Sequence, residues 1–188
     1  MYTLVTERMY LKLAHPKLAA EAADFNLRNK DDMADVEPAR PSMYYTKWGM
    51  KKYLKRDYKD AMRGSDFRYY LTLKGEKKII GTVCIGQVLF GSVKSCVLSY
   101  KIDKDYRNQG YCSEAVEEMI HLAFETLRLH RIEAQVMPRN EKSLRIMRKF
   151  GFENEGLSKQ CFEINQKWED HYRFALLNDK ISAKQNYS

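Results

Sequence analysis

No stretch of the sequence approaches the ~18 consecutive apolar residues that a membrane-spanning helix needs. The N-terminus, Met1-Tyr2-Thr3-Leu4-Val5-Thr6-Glu7-Arg8, carries charges where a secretory leader needs an apolar run. A cytoplasmic chain with no membrane partner is therefore expected. The four cysteines, Cys84, Cys96, Cys112 and Cys161, form no CxxC pair and show no ligand-like spacing to His15, His121, His130 or His171. Reduced thiols are expected, with neither a zinc site nor a disulfide framework, and no metal. Repeats and low-complexity tracts are also missing. What is present is 188 residues with 44% hydrophobic content, which suits one compact domain with its own core.

The formal charge of +8 is unevenly spread: residues 40–63 hold eight basic residues against two acids, a local net of +6. Just before them, Asp31, Asp32, Asp35 and Glu37 form an acidic cluster. A charge run is ordinarily a solvated face. Two opposite clusters side by side are also candidates for the rim of a site.

Periodicity predicts the elements. Residues 2–13 alternate loosely, as one strand does. Pro16 opens a helix carrying Leu18, Ala19, Ala22 and Phe25 on one side, and a loop over 31–41 follows. Residues 42–62 read as a helix with Tyr45, Trp48, Tyr58 and Ala61 available for burial. Strands are expected at 67–73, 79–88 and 93–102. From Gly110 the period becomes helical, with Val116, Ile120, Ala123, Phe124 and Leu127 in one stripe. A strand at 131–137 leads to Asn140 as N-cap of a short helix that Gly151 ends. Two strands, 152–165 and 167–177, complete the order βααβββαβαββ, an α+β architecture with a mixed sheet. Residues 1–178 are expected to form the domain, and 179–188 a polar tail.

One turn stands out chemically. A strand ends at Ile102, and Arg107-Asn108-Gln109-Gly110-Tyr111-Cys112 leads into the long helix. Free backbone N–H groups and the positive helix end at such a turn suit a phosphate. Gly110 permits close approach and Arg107 adds charge. No Gly-Lys-Ser/Thr follows, which excludes a Walker loop.

Arg107-x-x-Gly110-x-Cys112 resembles the Arg/Gln-x-x-Gly-x-Gly/Ala loop of the GNAT superfamily of acetyl-CoA-dependent N-acetyltransferases. Asn140-x-x-Ser143 and Lys149-Phe150-Gly151-Phe152 resemble that family's downstream pattern. Glu155-Gly156 and Trp168-Glu169-Asp170 are similar to its ribosomal-protein N-terminal acetyltransferase branch. The resemblance spans residues 2–177 and is sharpest from Tyr100 onward. It implies a mostly antiparallel mixed sheet, flanked by helices and splayed between its fourth and fifth strands, here those containing Tyr100-Lys101-Ile102 and Val136-Met137. It implies acetyl-CoA as co-substrate. Amides of Gln109, Gly110, Tyr111 and Cys112, beside Arg107 and Asn108, would hold the pyrophosphate. Backbone near Tyr100, Lys101 and Ile102 would polarise the thioester carbonyl. Asn140 and Ser143 would contact the pantetheine arm.

The family's tyrosine proton donor falls at Met147, so that role does not transfer. In the ribosomal-type branch a serine is the proposed donor, and Ser143 fits, with Asn140 beside it. A strand glutamate that often serves as base has no counterpart among Cys96, Val97, Leu98 and Ser99, which leaves Glu163 as a candidate. Cys112 reads as a small residue beside a phosphate, in preference to a nucleophilic thiol activated by the helix end.

The expected acceptor is a protein N-terminal α-amine. The alternatives are a small-molecule amine (polyamine, amino acid or aminoglycoside) and a non-catalytic acyl-CoA-binding module. The acidic cluster would attract a cationic acceptor, such as a polyamine or a basic N-terminal peptide. The basic aromatic helix offers a surface for ribosome association, beside the plainer reading of a solvated face. The sequence leaves monomer and homodimer equally open.

Overall fold

The computed structural model describes residues 2–178, so the expected tail over 179–188 lies outside the described residues. The strands are β1 (Thr3–Val5), β2 (Met9–Leu13), β3 (Phe67–Leu73), β4 (Ile79–Leu89), β5 (Ser95–Ile102), β6 (Arg131–Val136), β7 (Glu153–Ile164) and β8 (Lys167–Leu177). The helices are α1 (Ala19–Arg28), α2 (Lys30–Met33), α3 (Lys47–Arg63), α4 (Tyr111–His121) and α5 (Glu141–Lys149). All eight strands join one sheet in the order β1-β2-β3-β4-β5-β6-β8-β7. The fold is α+β with a mostly antiparallel mixed sheet, as expected.

Residues 2–13, expected as one strand, form two. The loose alternation breaks at Thr6-Glu7-Arg8, where Thr6 donates its N–H to the Met9 carbonyl (3.0 Å) and its hydroxyl accepts from Met9 N–H (3.2 Å). The strands expected as fourth and fifth are therefore β5 and β6. The loop expected over 31–41 also begins with the short α2.

Helices cover both faces of the sheet. On one face, Val83, Leu98, Val116, Met119 and Met147 belong to a core cluster that includes residues of α4 and α5. On the other, Phe25, Met50, Leu54, Tyr70 and Ile79 pack together with α1 and α3. Central β4 accordingly has buried residues at eight consecutive positions from Ile79, as a doubly covered strand should. Helix α3 is capped by the Thr46 hydroxyl, which accepts from Gly49 N–H (3.1 Å). Its buried residues are Gly49, Met50, Leu54 and Ala61. Trp48, expected to be available for burial, is 62% exposed, with Lys52 Nζ 3.7 Å from its ring centre. Two residues before Met50 is ~200° around the helix, which points Trp48 away from the core.

The decisive feature for function is the sheet's parallel pair. β5 and β6 are in register only at Ser95–Arg131, Cys96–Ile132 and Val97–Glu133. Beyond Val97 they diverge and open a gap at mid-sheet. The edge of β5 from Leu98 onward has no strand neighbour on the β6 side, so its alternating N–H and C=O groups need other partners.

Candidate active site

The gap is part of a cleft of about 940 Å³ that runs from the start of α4, past α5, to the faces of α3 and β3. Ten of the eleven residues expected at the site line it; Gln109 is the exception. The Gln109 side chain donates to the Asp105 carbonyl (3.1 Å), and its own carbonyl accepts from Arg8 (2.9 Å).

The turn before α4 is held open by backbone conformation. Asn108 and Gly110 both adopt left-handed φ, +60° and +85°. Gly110 occupies the N-cap of α4 without a side-chain cap, which leaves first-turn N–H groups free for a ligand. A Cβ at Gly110 would lie 3.1 Å from Arg8 Nη2. Arg8 is the residue that sequence reasoning missed. It donates through Nε and its backbone N–H to Glu114 (2.7 and 2.8 Å), through Nη1 to Gln109, and it stacks on Tyr111 at 4.4 Å. Desolvation raises the Glu114 pKa, but hydrogen bonds from Thr6 and Arg8 outweigh it and hold the carboxyl below its ordinary range. Nothing local marks Arg8, because its partners lie about a hundred positions away in the chain.

The acidic segment folds over the cleft and is largely tied down. Arg107 forms a two-pronged ion pair with Asp32, one arm at 2.7 Å. That hydrogen bonding holds Asp32 below the usual carboxylate range. Lys101 Nζ lies 3.1 Å from Glu37 and 3.3 Å from the Asn26 side-chain oxygen. Burial pushes the Lys101 ammonium pKa down, and Glu37 opposes the shift. Arg139 donates to the Asp35 carbonyl (3.1 Å) and to Glu169 (2.5 Å), and Asn165 donates to the Ala34 carbonyl. Two of the cluster's four carboxylates are thus neutralised internally. The rim that the sequence suggested for a cationic acceptor is a latch instead. Arg107, expected to face a phosphate, is the latch's other half. Uncommitted charge on the α5 wall comes from Lys142, Arg145 and Lys149, exposed at three- and four-residue spacing along the cleft.

At the gap, Asn140 caps α5 by accepting the Ser143 N–H at 3.2 Å, a bond worth about 1 kcal/mol. The Tyr100 hydroxyl donates to the Ser143 carbonyl at 3.4 Å. Burial raises the Tyr100 pKa well above its ordinary value, so it stays protonated. Cys112 is pushed up to about 12 by burial, the opposite of an activated thiol. Met147 is fully buried in the core. Glu163 is exposed near the β7–β8 hairpin tip and does not line the cleft.

On the opposite side of the gap the cleft is lined by Tyr44, Arg68, Tyr70, Thr82 and Ser99. Ser99 is exposed because β6 has turned away. Asp57 lies 3.3 Å from Arg68 Nε, and burial raises its pKa against that pairing. Among the described residues, no cluster of His, Cys, Asp or Glu is placed to hold a metal ion, and no helix is long and apolar enough to cross a membrane.

A half-open parallel pair thus lies beside an uncapped helix start, with the gap between them at mid-sheet. Residues 8–153 match the family described as "Acetyltransferase (GNAT) domain". The chain belongs to that family and is an acetyl-CoA-dependent N-acetyltransferase. The reading as a non-catalytic acyl-CoA-binding module is set aside.

Among its relatives is the [ribosomal protein uS5]-alanine N-acetyltransferase of Escherichia coli (strain K12), 32% identical over 173 residues, 92% of this chain and 89% of that one. The crystal structure of ribosomal-protein-S5-alanine acetyltransferase from Vibrio fischeri superposes with a TM-score of 0.91 at 31% identity, covering 95% of this chain and 98% of that one. Mycobacterium smegmatis RimJ in complex with CoA-disulfide shares the fold, with a TM-score of 0.88 at 22% identity over 95% and 88% of the two chains.

Proposed function

We propose that residues 1–178 act as one domain that acetylates the α-amine of a protein N-terminus, in the manner of the ribosomal-protein acetyltransferases. One observation carries the reading: of the five carboxylates that line the cleft, Asp32, Glu37, Asp57 and Glu141 are each committed to an ion pair, which among the described residues leaves Asp35 alone without one. Such a site suits an acceptor that needs little help to lose its proton. An α-amine with pKa ~7.8 is roughly a third neutral near physiological pH, whereas a lysine at ~10.4 is about 0.1% neutral. Pairing of Asp32 and Glu37 within the chain halves the acidic charge open to a polyamine. The names of the relatives from E. coli and V. fischeri point the same way. Free cysteines at all four positions fit a reducing, cytoplasmic setting.

The residues present fit acetyl-CoA: an uncapped helix start for a pyrophosphate, cations on α5 for further phosphate, and an unpaired strand edge beside the gap. Acetyl-CoA, when bound, supplies a thioester carbonyl as electrophile and a thiolate as leaving group. Free N–H groups of residues 109–112 hold phosphate oxygens. N–H groups on the free edge of β5 near Tyr100, Lys101 and Ile102 stabilise oxyanion charge. Ser143 delivers a proton to the departing sulfur. Asn140 orients Ser143 through the cap, and its amide N–H₂ group remains free for the pantetheine arm. The Tyr100 hydroxyl steadies the same first turn of α5. Solvent takes the acceptor's proton.

A CoA-release assay across Ala- and Ser-initiated peptides, spermidine and an aminoglycoside tests this. Peptides should be turned over with kcat/KM at least about tenfold above any small amine. A preference for spermidine or the aminoglycoside would overturn it.

A further inference from the structure

The far end of the cleft carries an excess of cations that acetyl-CoA binding does not use. Arg40 lies over the Tyr44 ring at 5.3 Å and Arg56 over Tyr53 at 5.4 Å. The two rings meet edge to face with centroids 5.0 Å apart. Arg68 faces this pair from the start of β3. One carboxylate answers the three guanidiniums: Asp57, 3.3 Å from Arg68 Nε and 3.7 Å from Arg56 Nη2. Glu37, the other acid on this side, is bound to Lys101. Among the described residues Arg40 has no carboxylate partner, and Asp57 is the one carboxylate ion-paired with Arg68. Tyr44 sits in the combined field of Arg40, Glu37, Arg68 and Asp57, which places all four at one end of the cleft.

Sheet register sets how far this end lies from the reacting edge. Arg68 is level with Cys84 on β4, and Cys84 with Ser99 on β5. Two inter-strand steps separate the backbones of Arg68 and Ser99 by about 10 Å, roughly the span of three residues of extended peptide.

We infer that the acceptor is a peptide whose N-terminal α-amine is followed, at about the third or fourth residue, by a side-chain carboxylate that Arg40, Arg56 and Arg68 receive. The inference rests on the reading of this cleft as an N-terminal amine site and adds the charge of the acceptor to it. It is the reverse of the charge preference that the acidic cluster suggests in the sequence.

The test uses the full chain, acetyl-CoA and three peptides that differ only at positions three and four: Ala-Ala-Asp-Glu, Ala-Ala-Ala-Ala and Ala-Ala-Lys-Lys, each followed by one common tail. The acidic peptide should exceed the basic one about tenfold in kcat/KM, with the difference in KM. Arg40→Gln should shrink that ratio to about threefold or less. Arg68→Gln should do the same if its melting temperature shows it folded; Arg40→Gln stands alone if it is not. Lys77→Gln, the same charge change on the exposed β3–β4 turn, should leave the ratio unaltered. Equal turnover of the three peptides, or an effect of Lys77→Gln matching that of Arg40→Gln, would overturn the inference while leaving the N-terminal reading intact. No turnover of any peptide would overturn both.

Discussion

The two halves of the cleft are built by different means. The half proposed for acetyl-CoA rests on backbone: a left-handed glycine, an uncapped helix start, a capped second helix and a strand edge released by divergence. The half proposed for the acceptor rests on side chains from α1, the 34–41 segment, α3, β3 and β5, joined by ion pairs such as Lys101–Glu37 and Arg68–Asp57. Most of these backbone features, the caps and the left-handed turn, are set by local sequence. Ion pairs between distant elements can be rewritten one residue at a time. The same fold can therefore keep its co-substrate while its acceptor changes.

The comparison is broken most severely by attacking the backbone half. Gly110→Glu places a side chain where φ is +85° and a negative charge at the phosphate site. The left-handed strain alone is ~1–2 kcal/mol, and with the charge the affinity for acetyl-CoA should fall by about 100-fold or more. Loss of the acetyl-CoA-induced thermal shift, with the unliganded melting temperature lowered only modestly, is the expected readout.

Ser143→Ala should lower kcat by about 10- to 100-fold while the KM for acetyl-CoA changes by less than about threefold. Steady-state kinetics at saturating peptide measures both, and an unchanged kcat removes Ser143 from proton transfer. Tyr100→Phe should have a smaller effect, because its hydroxyl touches the α5 turn and not its side chain.

The latch sharpens the comparison where the halves meet. Asp32→Asn frees Arg107 from its carboxylate partner and should tighten acetyl-CoA by about threefold at low salt, fading as salt is added. Titration calorimetry at two salt concentrations checks it. The pH dependence has a defined sign. The Asp32 carboxyl is held below its ordinary range when folded, so its contribution is present across neutral pH. It is lost only as pH falls through that lowered value.

The smallest effect is expected at Cys112→Ala, with turnover within about twofold of the parent, because a thiol pushed up to about 12 is neither nucleophile nor charge. A burst of acetylated enzyme, or inactivation by this change, would refute that assignment.

Legibility followed the same division. The span 67–73 coincides with β3, and the Asn140 cap, the Gly151 stop and the helix entry at Gly110 all lie where local signals put them. Each depends on interactions within a few residues. Trp48 misled because helical spacing tells which residues share a face, but not which face the sheet will cover. The split of residues 2–13 turns on a three-residue break too short to register against loose alternation. Arg8 was invisible, since the turn it braces is remote in sequence.

The sequence by itself determined the co-substrate half: the order of elements, the turn at residues 107–112 and the capped helix after Asn140, all short-range consequences of glycine, proline and capping chemistry. Only the tertiary structure decided what the charges do. It paired Asp32 with Arg107 and Glu37 with Lys101, tying half of an apparent acidic rim into a latch, and it left Arg40 and Arg68 lining the far end of the cleft. The reason is physical. An ion pair is set by distance in space, and the nearest opposite charge here comes from an element some 64 to 75 residues away.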